Sequence, residues 1–443
     1  MKRFLISLIL IVSATSANAD DLQNTVKAAL ATHPEVNAAV NSRYSADQDL
    51  RAAKGGYLPS LTLNAEAGKK GLNDATTGGE RESLSPNSTT VSLDQNIFDG
   101  FGTSSEVARQ QATVDSRAFS LLNVSETTAW KVVQAYLDVL QREEYVQLAE
   151  DDLANHERIY DQIHLRTDQG VGRSGDLMQA EARLAQARNN LETEKTNLED
   201  AQTNFVSETG QDPVNLTTPA SIITKLPTTL AEAKSRMEEN NPLLKSASAD
   251  IEAAHQQYEA SKSAFYPRVD VSISRDISNN TDASRAHAEE WEAMVKLRYN
   301  LYQGGSDNAA MKSRAYQQNQ ALDVRNNTLR QMNQELRLAW SALKSAQAQL
   351  PAAAEYADRT VKVRRAYQDQ FSLGERTLLD LLDSENEVFS SKRRLVELRY
   401  LEIASSYRIA LRIGELLPTL NIAAMPATQA VDIVNGEKLP ELR

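Results

Sequence analysis

Residues 91–100 read VSLDQNIFDG, a segment in which apolar and polar residues alternate before a glycine. Its last five residues recur in altered form as NLYQG at residues 300–304, which lie 204 positions further along the chain. Matched pairs at this spacing continue through the chain: Gly170 with Gly374, Asp176 with Asp380, and Gly210 with Gly414. Earlier pairs, such as Pro34 with Pro242, are 208 positions apart, so the second copy is four residues shorter. Agreement at so many distant positions indicates an internal duplication.

Each copy contains two segments of alternating apolar and polar residues on either side of a polar loop. The apolar members are Leu61, Leu63, Val91, Leu93 and Ile97 in the first copy, and Val269, Val271, Val295 and Leu297 in the second. Alternation over about ten residues is typical of a membrane β-strand whose apolar side chains face lipid. A single hairpin of this kind would equally fit a hairpin half-buried on a soluble core. Two matched hairpins favour the membrane, with outer-membrane lipid as the expected partner.

Long helices follow each hairpin. From Thr103 to about Thr167 there is neither proline nor glycine, and about 65 residues at 1.5 Å each would make a rod of roughly 97 Å. The next predicted helix places apolar residues at spacings of three and four, which is the seam of a coiled coil. The seam consists of Leu177, Ala180, Leu184, Ala187, Leu191, Leu198, Ala201 and Phe205, with Glu194 as its one charged member. The sequence therefore predicts close packing between neighbouring helices.

The composition excludes several classes of function. The chain has 443 residues, with 48 Lys and Arg against 60 Asp and Glu, so its formal charge is −12 and no nucleic-acid partner is expected. The chain has no cysteine, which excludes disulfides, thiolate zinc sites, thiol nucleophiles and a lipidated N-terminal cysteine. The five histidines show no metal-ligand spacing, and no catalytic motif is present. We therefore expect no metal, no other cofactor and no enzymatic activity.

The N-terminus has the pattern of a secretory signal peptide. Lys2 and Arg3 precede an apolar stretch from Phe4 to Val12, and Ala17-Asn18-Ala19 forms a small-x-small cleavage site. No later segment approaches the roughly 20 apolar residues of a transmembrane helix, so any membrane segment is expected to be something other than a helix. The predicted organisation is a signal peptide over 1–19, a first repeat over 20–229, a second repeat over 230–418 and an irregular tail over 419–443.

Four strands cannot close a barrel, and an open sheet edge cannot face lipid. Three chains would supply twelve strands, a number found in known barrels. The expected fold is thus an α+β membrane protein. In it, a long α-helical coiled-coil barrel continues a trimeric twelve-stranded transmembrane β-barrel, with four strands from each chain and an internal duplication.

Particular motifs resemble the TolC family of outer-membrane efflux and secretion channels. The motifs are His33-Pro34-Glu35, Gly56-Tyr57-Leu58-Pro59, Phe98-Asp99-Gly100, Ala135-Tyr136-Leu137-Asp138-Val139, Gly374-Glu375-Arg376-Thr377 and Asp380-Leu381-Leu382-Asp383. The resemblance covers about residues 20–417. It implies a homotrimer in the outer membrane of a Gram-negative cell, extending into the periplasm. Its partners would be a periplasmic adaptor protein and an inner-membrane ABC transporter or proton-driven pump. The run Ser372 to Glu385 is most similar to the type I secretion branch.

The resemblance also implies a gate at the periplasmic end. Asp380 and Asp383 match two acidic positions that form rings at the constriction, and Arg376 matches an arginine that helps to hold the gate shut. Thr377 and Asp380 also fit a helix capping box, a role compatible with a gate. Asp176 matches an acid that in the family bonds a tyrosine and an arginine. At the corresponding positions this chain has Phe371, which has no hydroxyl, and Gly175, which offers only backbone.

The function expected from these features is a passive, gated exit duct for a type I secretion system or a multidrug efflux pump. The alternative is a periplasmic adaptor protein with coiled-coil hairpins. Adaptors usually carry one hairpin beside a lipoyl-like β module, whereas this chain has a duplication and paired alternating strands. The sequence leaves the cargo and the partner systems open.

Overall fold

A computed structural model describes residues 21–72, 82–281 and 286–430. The predicted signal peptide and residues 431–443 of the predicted tail lie outside the described residues. Within these described ranges, no helix is both long and apolar enough to cross a membrane.

The chain alternates helices with strand pairs. The helices are α1 (Leu22–Thr32), α2 (Pro34–Lys54), α3 (Gly102–Asp168), α4 (Ser174–Thr209), α5 (Leu230–Asn240), α6 (Pro242–Ser261), α7 (Ser306–Ser372), α8 (Leu378–Ile413) and α9 (Leu416–Thr419). The strands are β1 (Ser60–Ala67), β2 (Lys70–Leu72), β3 (Glu82–Leu84), β4 (Asn87–Phe98), β5 (Arg268–Asn279) and β6 (His287–Arg298). Helices α3 and α7 both have 67 residues, and α4 and α8 both have 36. The duplication predicted from the sequence is therefore visible in the lengths of the elements.

Four strands form one sheet in the order β1-β4-β5-β6, and every neighbouring pair is antiparallel. The register aligns apolar residues across the sheet, with Leu63 opposite Val91 and Val271 opposite Val295. Because side chains alternate between the two faces of a strand, these residues share one face. The predicted membrane-strand residues thus share one largely apolar face, which also carries Gln95 and Arg275. Strands β2 and β3 pair separately as a small two-stranded sheet.

The predicted alternation is interrupted at Ile97, which is itself 60% exposed. A β-bulge shifts the β4–β5 register between Asn96 and Phe98, so that Asn96 lies opposite Asp270 and Phe98 lies opposite Val269. A bulge inserts one extra residue and reverses the parity of the residues that follow. Phe98 therefore joins the apolar face with Val269, and Ile97 is the inserted residue.

Contacts divide the chain into two compact units, each drawn from both repeats. Among the described residues, unit 1 comprises 21–34, Glu126–Ala233 and Leu336–Ala423. Unit 2 comprises the described residues of Glu35–Ser125 and Lys234–Glu335, together with 424–430. The four-stranded sheet lies in unit 2, and the turn between α7 and α8 lies in unit 1.

The coiled-coil seam of α4 lies in the core of unit 1. Ala180, Leu184, Ala187, Leu191, Ala201 and Phe205 are all buried. Glu194 is also buried, and its carboxylate lies 2.8 Å from the Arg393 guanidinium and 3.8 Å from that of Arg142. A carboxylate is tolerated in a seam when it is paired in this way.

Two polar anchors hold irregular segments of unit 1 against α3. The Tyr136 hydroxyl donates to the Thr217 carbonyl oxygen at 2.8 Å and accepts the Thr217 N–H at 2.9 Å. Glu126 is 1% exposed, and its carboxylate accepts the backbone N–H groups of Leu416 and Leu417 at 3.0 and 3.2 Å. Burial raises the pKa of Glu126 to about 7, against the opposing effect of the two N–H donors.

Unit 2 has its own helical core beside the sheet. Ala46 and Leu50 of α2 pack with Val114 of α3. The Ser116 hydroxyl lies 3.1 Å from that of Ser246 on α6. Small residues at these positions allow the helices to approach closely.

Candidate functional site

The turn between α7 and α8 carries the predicted gate acid Asp380. The Thr377 side chain accepts the Asp380 N–H, and the Asp380 carboxylate accepts the Thr377 N–H and hydroxyl, at 3.3 and 2.8 Å. This is the capping box that the sequence indicated. The bonds from Thr377, with a smaller contribution from Arg376, hold the pKa of Asp380 below its usual value. Asp380 is therefore a fixed negative charge at neutral pH.

Arg376 connects the end of α7 to the start of α8. Its Nε donates to Gln370 Oε1 at 3.1 Å, and its guanidinium lies 4.2 Å from the centre of the Tyr367 ring. Its Nη1 also lies 3.8 Å from the Asp380 carboxylate. These contacts, one hydrogen bond, one cation–π contact and one ion pair, fix the shape of the turn.

Asp383 has a different partner from Asp380. Its carboxylate lies 3.6 Å from the guanidinium of Arg183 on α4. The Asp383 side chain is 62% exposed, so this ion pair is weak. The structure therefore brings the two acids onto one turn of α8 but gives each acid a separate basic partner.

The other predicted gate residues have different environments. Asp176 lies in the first turn of α4, and Gly175, one residue before it, is exposed. Phe371 is buried in an apolar cluster with Ile159, Ile163, Ala180, Leu378, Leu381 and Leu382. The Arg166 guanidinium lies 5.0 Å from the centre of the Phe371 ring. Phe371 thus contributes to the core behind the turn.

A buried charged cluster lies further along the same helices and was not singled out from the sequence. We define it as Asp152 and His156 of α3, Arg364 of α7 and Glu385 of α8. Arg364 donates to Glu385 at 3.2 Å, and Asp152 Oδ1 lies 3.6 Å from His156 Nε2. Burial, together with the Glu385 charge, raises the pKa of Asp152 to about 6, and burial lowers the pKa of His156. A signal was available, because Glu385 lies between the apolar residues Leu381 and Val388, which are one heptad apart on α8.

The apolar face of the sheet is largely open. Leu61, Leu63, Val295 and Leu297 are each about 70% exposed. Strands β1 and β6 are the two edges of the sheet, and among the described strands each has one neighbour. Across the described ranges, no group of three or more His, Asp or Glu side chains could hold a metal ion.

Comparison with known proteins identifies the family. The sequence model of the family described as outer membrane efflux protein matches residues 25–211 and 234–415, one segment in each repeat. The outer membrane efflux protein BepC of Brucella suis biovar 1 (strain 1330) is 26% identical over 89% of this chain and 86% of its own length. The outer membrane protein TolC of Escherichia coli (strain K12) is 22% identical over 93% of this chain and 86% of its own length.

A secretion protein and a solved channel extend the comparison. The alkaline protease secretion protein AprF of Pseudomonas aeruginosa (strain PAO1) is 21% identical over 88% of this chain and 83% of its own length. The crystal structure of the Campylobacter jejuni CmeC outer membrane channel has the same fold, with a TM-score of 0.81 and 14% identity over 89% of this chain and 86% of that chain. The outer membrane is therefore the location of this protein. The chain belongs to the outer membrane efflux protein family, the family of TolC-like channels.

Proposed function

We propose that this chain assembles as a homotrimer whose three sheets close into one twelve-stranded barrel. The observation that carries the proposal is the open sheet, in which β1 and β6 each have one neighbour among the described strands. The N–H and C=O groups of an open edge would be unpaired in lipid, at several kcal/mol for each group. A second copy is the simplest source of a partner strand.

The direction of the strands supports this closure. Three successive antiparallel pairings make β1 and β6 antiparallel to each other. The β6 edge of one copy can therefore meet the β1 edge of the next copy in the arrangement already used within the sheet. The apolar face, with Leu61, Leu63, Val295 and Leu297, would then face lipid. The face carrying Ser92, Ser274 and other polar residues would line the pore.

We also propose that the α7–α8 turn is the periplasmic gate of this channel. Three copies of Asp380 and Asp383 would place six carboxylates at one constriction. Such rings attract cations and repel anions. In this proposal, the contacts of Arg376 with Gln370, Tyr367 and Asp380 hold the turn in place. Asp176, Gly175 and Phe371 would surround it on the neighbouring helices.

The channel is proposed to be a passive exit duct, so its energy would come from other proteins. The names of BepC and AprF associate those relatives with efflux and with protease secretion, respectively. We therefore propose a type I secretion system or a multidrug efflux pump as its setting. The partners would be a periplasmic adaptor protein and an inner-membrane ABC transporter or proton-driven pump.

Purification in mild detergent, followed by native mass measurement and planar-bilayer recording, tests the proposal. We expect a mass of three chains and discrete ion-conducting steps. A monomer, or a trimer that carries no current, would contradict it. Cell fractionation gives an independent check, because a periplasmic adaptor would not be extracted with outer-membrane proteins as an oligomer.

A further inference from the structure

The junction between β4 and α3 contains an unusual backbone. Gly100 and Phe101 both have a φ of 69°, in the left-handed region that side chains other than glycine rarely adopt. At Gly100 a side chain is also sterically excluded, because a Cβ would lie 2.6 Å from the Tyr266 Cβ and 2.8 Å from the Ser263 carbonyl oxygen. Phe101 is therefore a large side chain held in a conformation suited to glycine.

The second repeat provides an internal comparison. At the offset of 204 residues, Gly100 and Phe101 correspond to Gly304 and Gly305, whose φ values are 63° and 82°. A Cβ at Gly305 would meet nothing within 4 Å, so its φ alone explains the glycine there. The same backbone thus carries glycine in one repeat and phenylalanine in the other. The phenyl ring itself, rather than the backbone, must be the reason for Phe101.

The ring of Phe101 continues the apolar face of the sheet. It lies edge-on to Phe98, with ring centres 5.5 Å apart, and edge-on to Tyr266 at 5.9 Å. Phe98 lies opposite Val269, which belongs to the apolar face. Phe101 nevertheless remains 60% exposed. Because Phe101 combines a strained backbone with an exposed ring, we expect the ring to contact an apolar or interfacial partner.

Exposed aromatic residues lie at two levels of the sheet, as at the two borders of a membrane barrel. Other exposed aromatics at the same end of the sheet are Tyr57, Phe265, Tyr266, Tyr299 and Tyr302. Towards the opposite end, Trp291 is 76% exposed on β6. Trp291 and Tyr299 are eight residues apart, which is about 26 Å along an extended strand. At a strand tilt of about 40° this length spans about 20 Å along the bilayer normal. The apolar band of an outer-membrane barrel is about 25 Å tall and has aromatic residues at both borders.

We infer that Phe101 is a membrane anchor, which seats the β4–α3 junction in the phospholipid interface of the inner leaflet. This inference rests on the proposed function, because it requires the sheet to lie in the bilayer. The partner is the lipid headgroup and upper acyl region. The apolar face that Phe101 extends continues to the same end of the sheet, and a benzene ring suits an interface that is partly apolar. A neighbouring copy of the chain is the alternative partner for the ring.

Fluorescence quenching by brominated phosphatidylcholines tests the anchor. The quadruple variant W130F/W291F/W340F/F101W has one tryptophan, at position 101, and W130F/W340F retains only Trp291. Both are reconstituted in vesicles whose lipids carry bromine near the headgroup or deep in the acyl chain. We expect quenching at position 101, strongest with the shallow label, and quenching of Trp291 by at least one label.

Comparing the quenching at position 101 with that of Trp291 distinguishes the failure of the anchor from the failure of the proposed function. Quenching of Trp291 without quenching at position 101 would overturn the anchor, identify protein as the partner of the ring, and leave the membrane sheet intact. The absence of quenching at both positions, in protein shown to be folded by circular dichroism, would overturn the proposed function as well.

A matched pair of variants distinguishes the effect of losing the phenyl ring from the effect of relieving the backbone strain. F101A removes the ring but keeps a side chain at positive φ, whereas F101G also removes the strain. We expect both variants to lower the ratio of membrane-inserted to uninserted chain roughly tenfold, the effect of transferring about one phenyl group. In detergent we expect F101G to unfold at a higher temperature than F101A. Unchanged insertion of both variants would contradict the anchor, whatever their stability.

Discussion

In the proposed gate, the Asp380 side chain would serve both a helix and a pore. Its carboxylate caps α8 through Thr377 and pairs with Arg376 across the turn. Both interactions favour the ionised form and lower its pKa. Nearby carboxylates at the proposed constriction would raise the pKa of Asp380, and its contacts with Thr377 and Arg376 act against that rise.

We expect D380N/D383N to reduce the cation selectivity of the channel. The substitution removes the fixed negative charge of both residues while keeping the side-chain size. The reversal potential in a salt gradient should move toward zero. E192Q removes an exposed carboxylate of α4, paired with Lys195, and serves as the control. A double variant with the reversal potential of the wild type would remove both acids from the gate.

Glu126 should make stability depend on pH. Its pKa is raised from 4.5 to about 7 in the folded chain, so between these values only the folded chain holds the proton. The free energy of unfolding therefore falls as pH rises through this window, by up to about 3 kcal/mol. Below the window both states are protonated, and above it both are ionised.

The variant E126Q should lose this component of the pH dependence. Thermal unfolding midpoints in detergent, measured at about pH 5 and about pH 8, test it. The difference between the two midpoints should be smaller in E126Q than in the wild type. The raised pKa of Asp152 acts in the same direction but is present in both proteins. An equal difference in both proteins would show that Glu126 does not titrate in this range.

Among the elements, the sheet has two chemically different faces. Leu63 lies on the apolar face opposite Val91, and its neighbour Thr62 lies on the other face opposite Ser92. The two residues are adjacent in sequence and have the same backbone environment. They are therefore a matched pair for testing which face meets lipid.

We expect L63R to impair insertion and T62R to be tolerated. An arginine facing lipid costs free energy, about 2–4 kcal/mol at the bilayer midplane and less toward its borders, whereas one facing a water-filled pore does not. Folding into vesicles, followed by equilibrium denaturation, gives the free energy of each variant. Equal effects of the two substitutions would mean that the sheet does not separate lipid from water.

The sequence predicted the elements better than the details within them. The α4 seam was predictable because buried alanine and leucine repeat at helical spacing, and the strands were predictable because their alternation occurs twice. The bulge at Ile97 was not predictable, since an inserted residue is defined only by its partner strand. The burial of Asp152 and Glu385 was not predicted, because a charged residue on a long helix usually lies in solvent. The contacts of Arg376 required the coordinates of both helices.

For the molecule as a whole, the two repeats have similar helices but different local chemistry. Both copies have helices of 67 and 36 residues. The start of α4 has Gly175 where the start of α8 has Leu379, and Asp176 corresponds to Asp380. At the same offset Asp383 corresponds to Gln179. In the proposed channel, only the second repeat would therefore supply both gate acids.

Deletion of the gene should abolish one transport process without affecting unrelated enzymes. If the system is a type I secretion system, one or a few proteins should disappear from the culture medium. If it is an efflux pump, sensitivity to several drugs should increase. Complementation with T62R should restore the process, whereas L63R should not. A deletion strain unchanged in both secretion and drug sensitivity would contradict an exit duct.

The central pairing of the sheet bears on the origin of the chain. Strand β4 comes from the first repeat and β5 from the second, and they pair antiparallel over almost their whole length. The β4–β5 pairing between repeats is thus antiparallel, like the β6–β1 pairing proposed between copies. A half-length ancestor carrying one hairpin would have needed six subunits to complete a ring of twelve strands. In the proposed trimer, joining two such halves in one chain makes three of those six contacts intramolecular, which would ease assembly when newly exported chains are scarce.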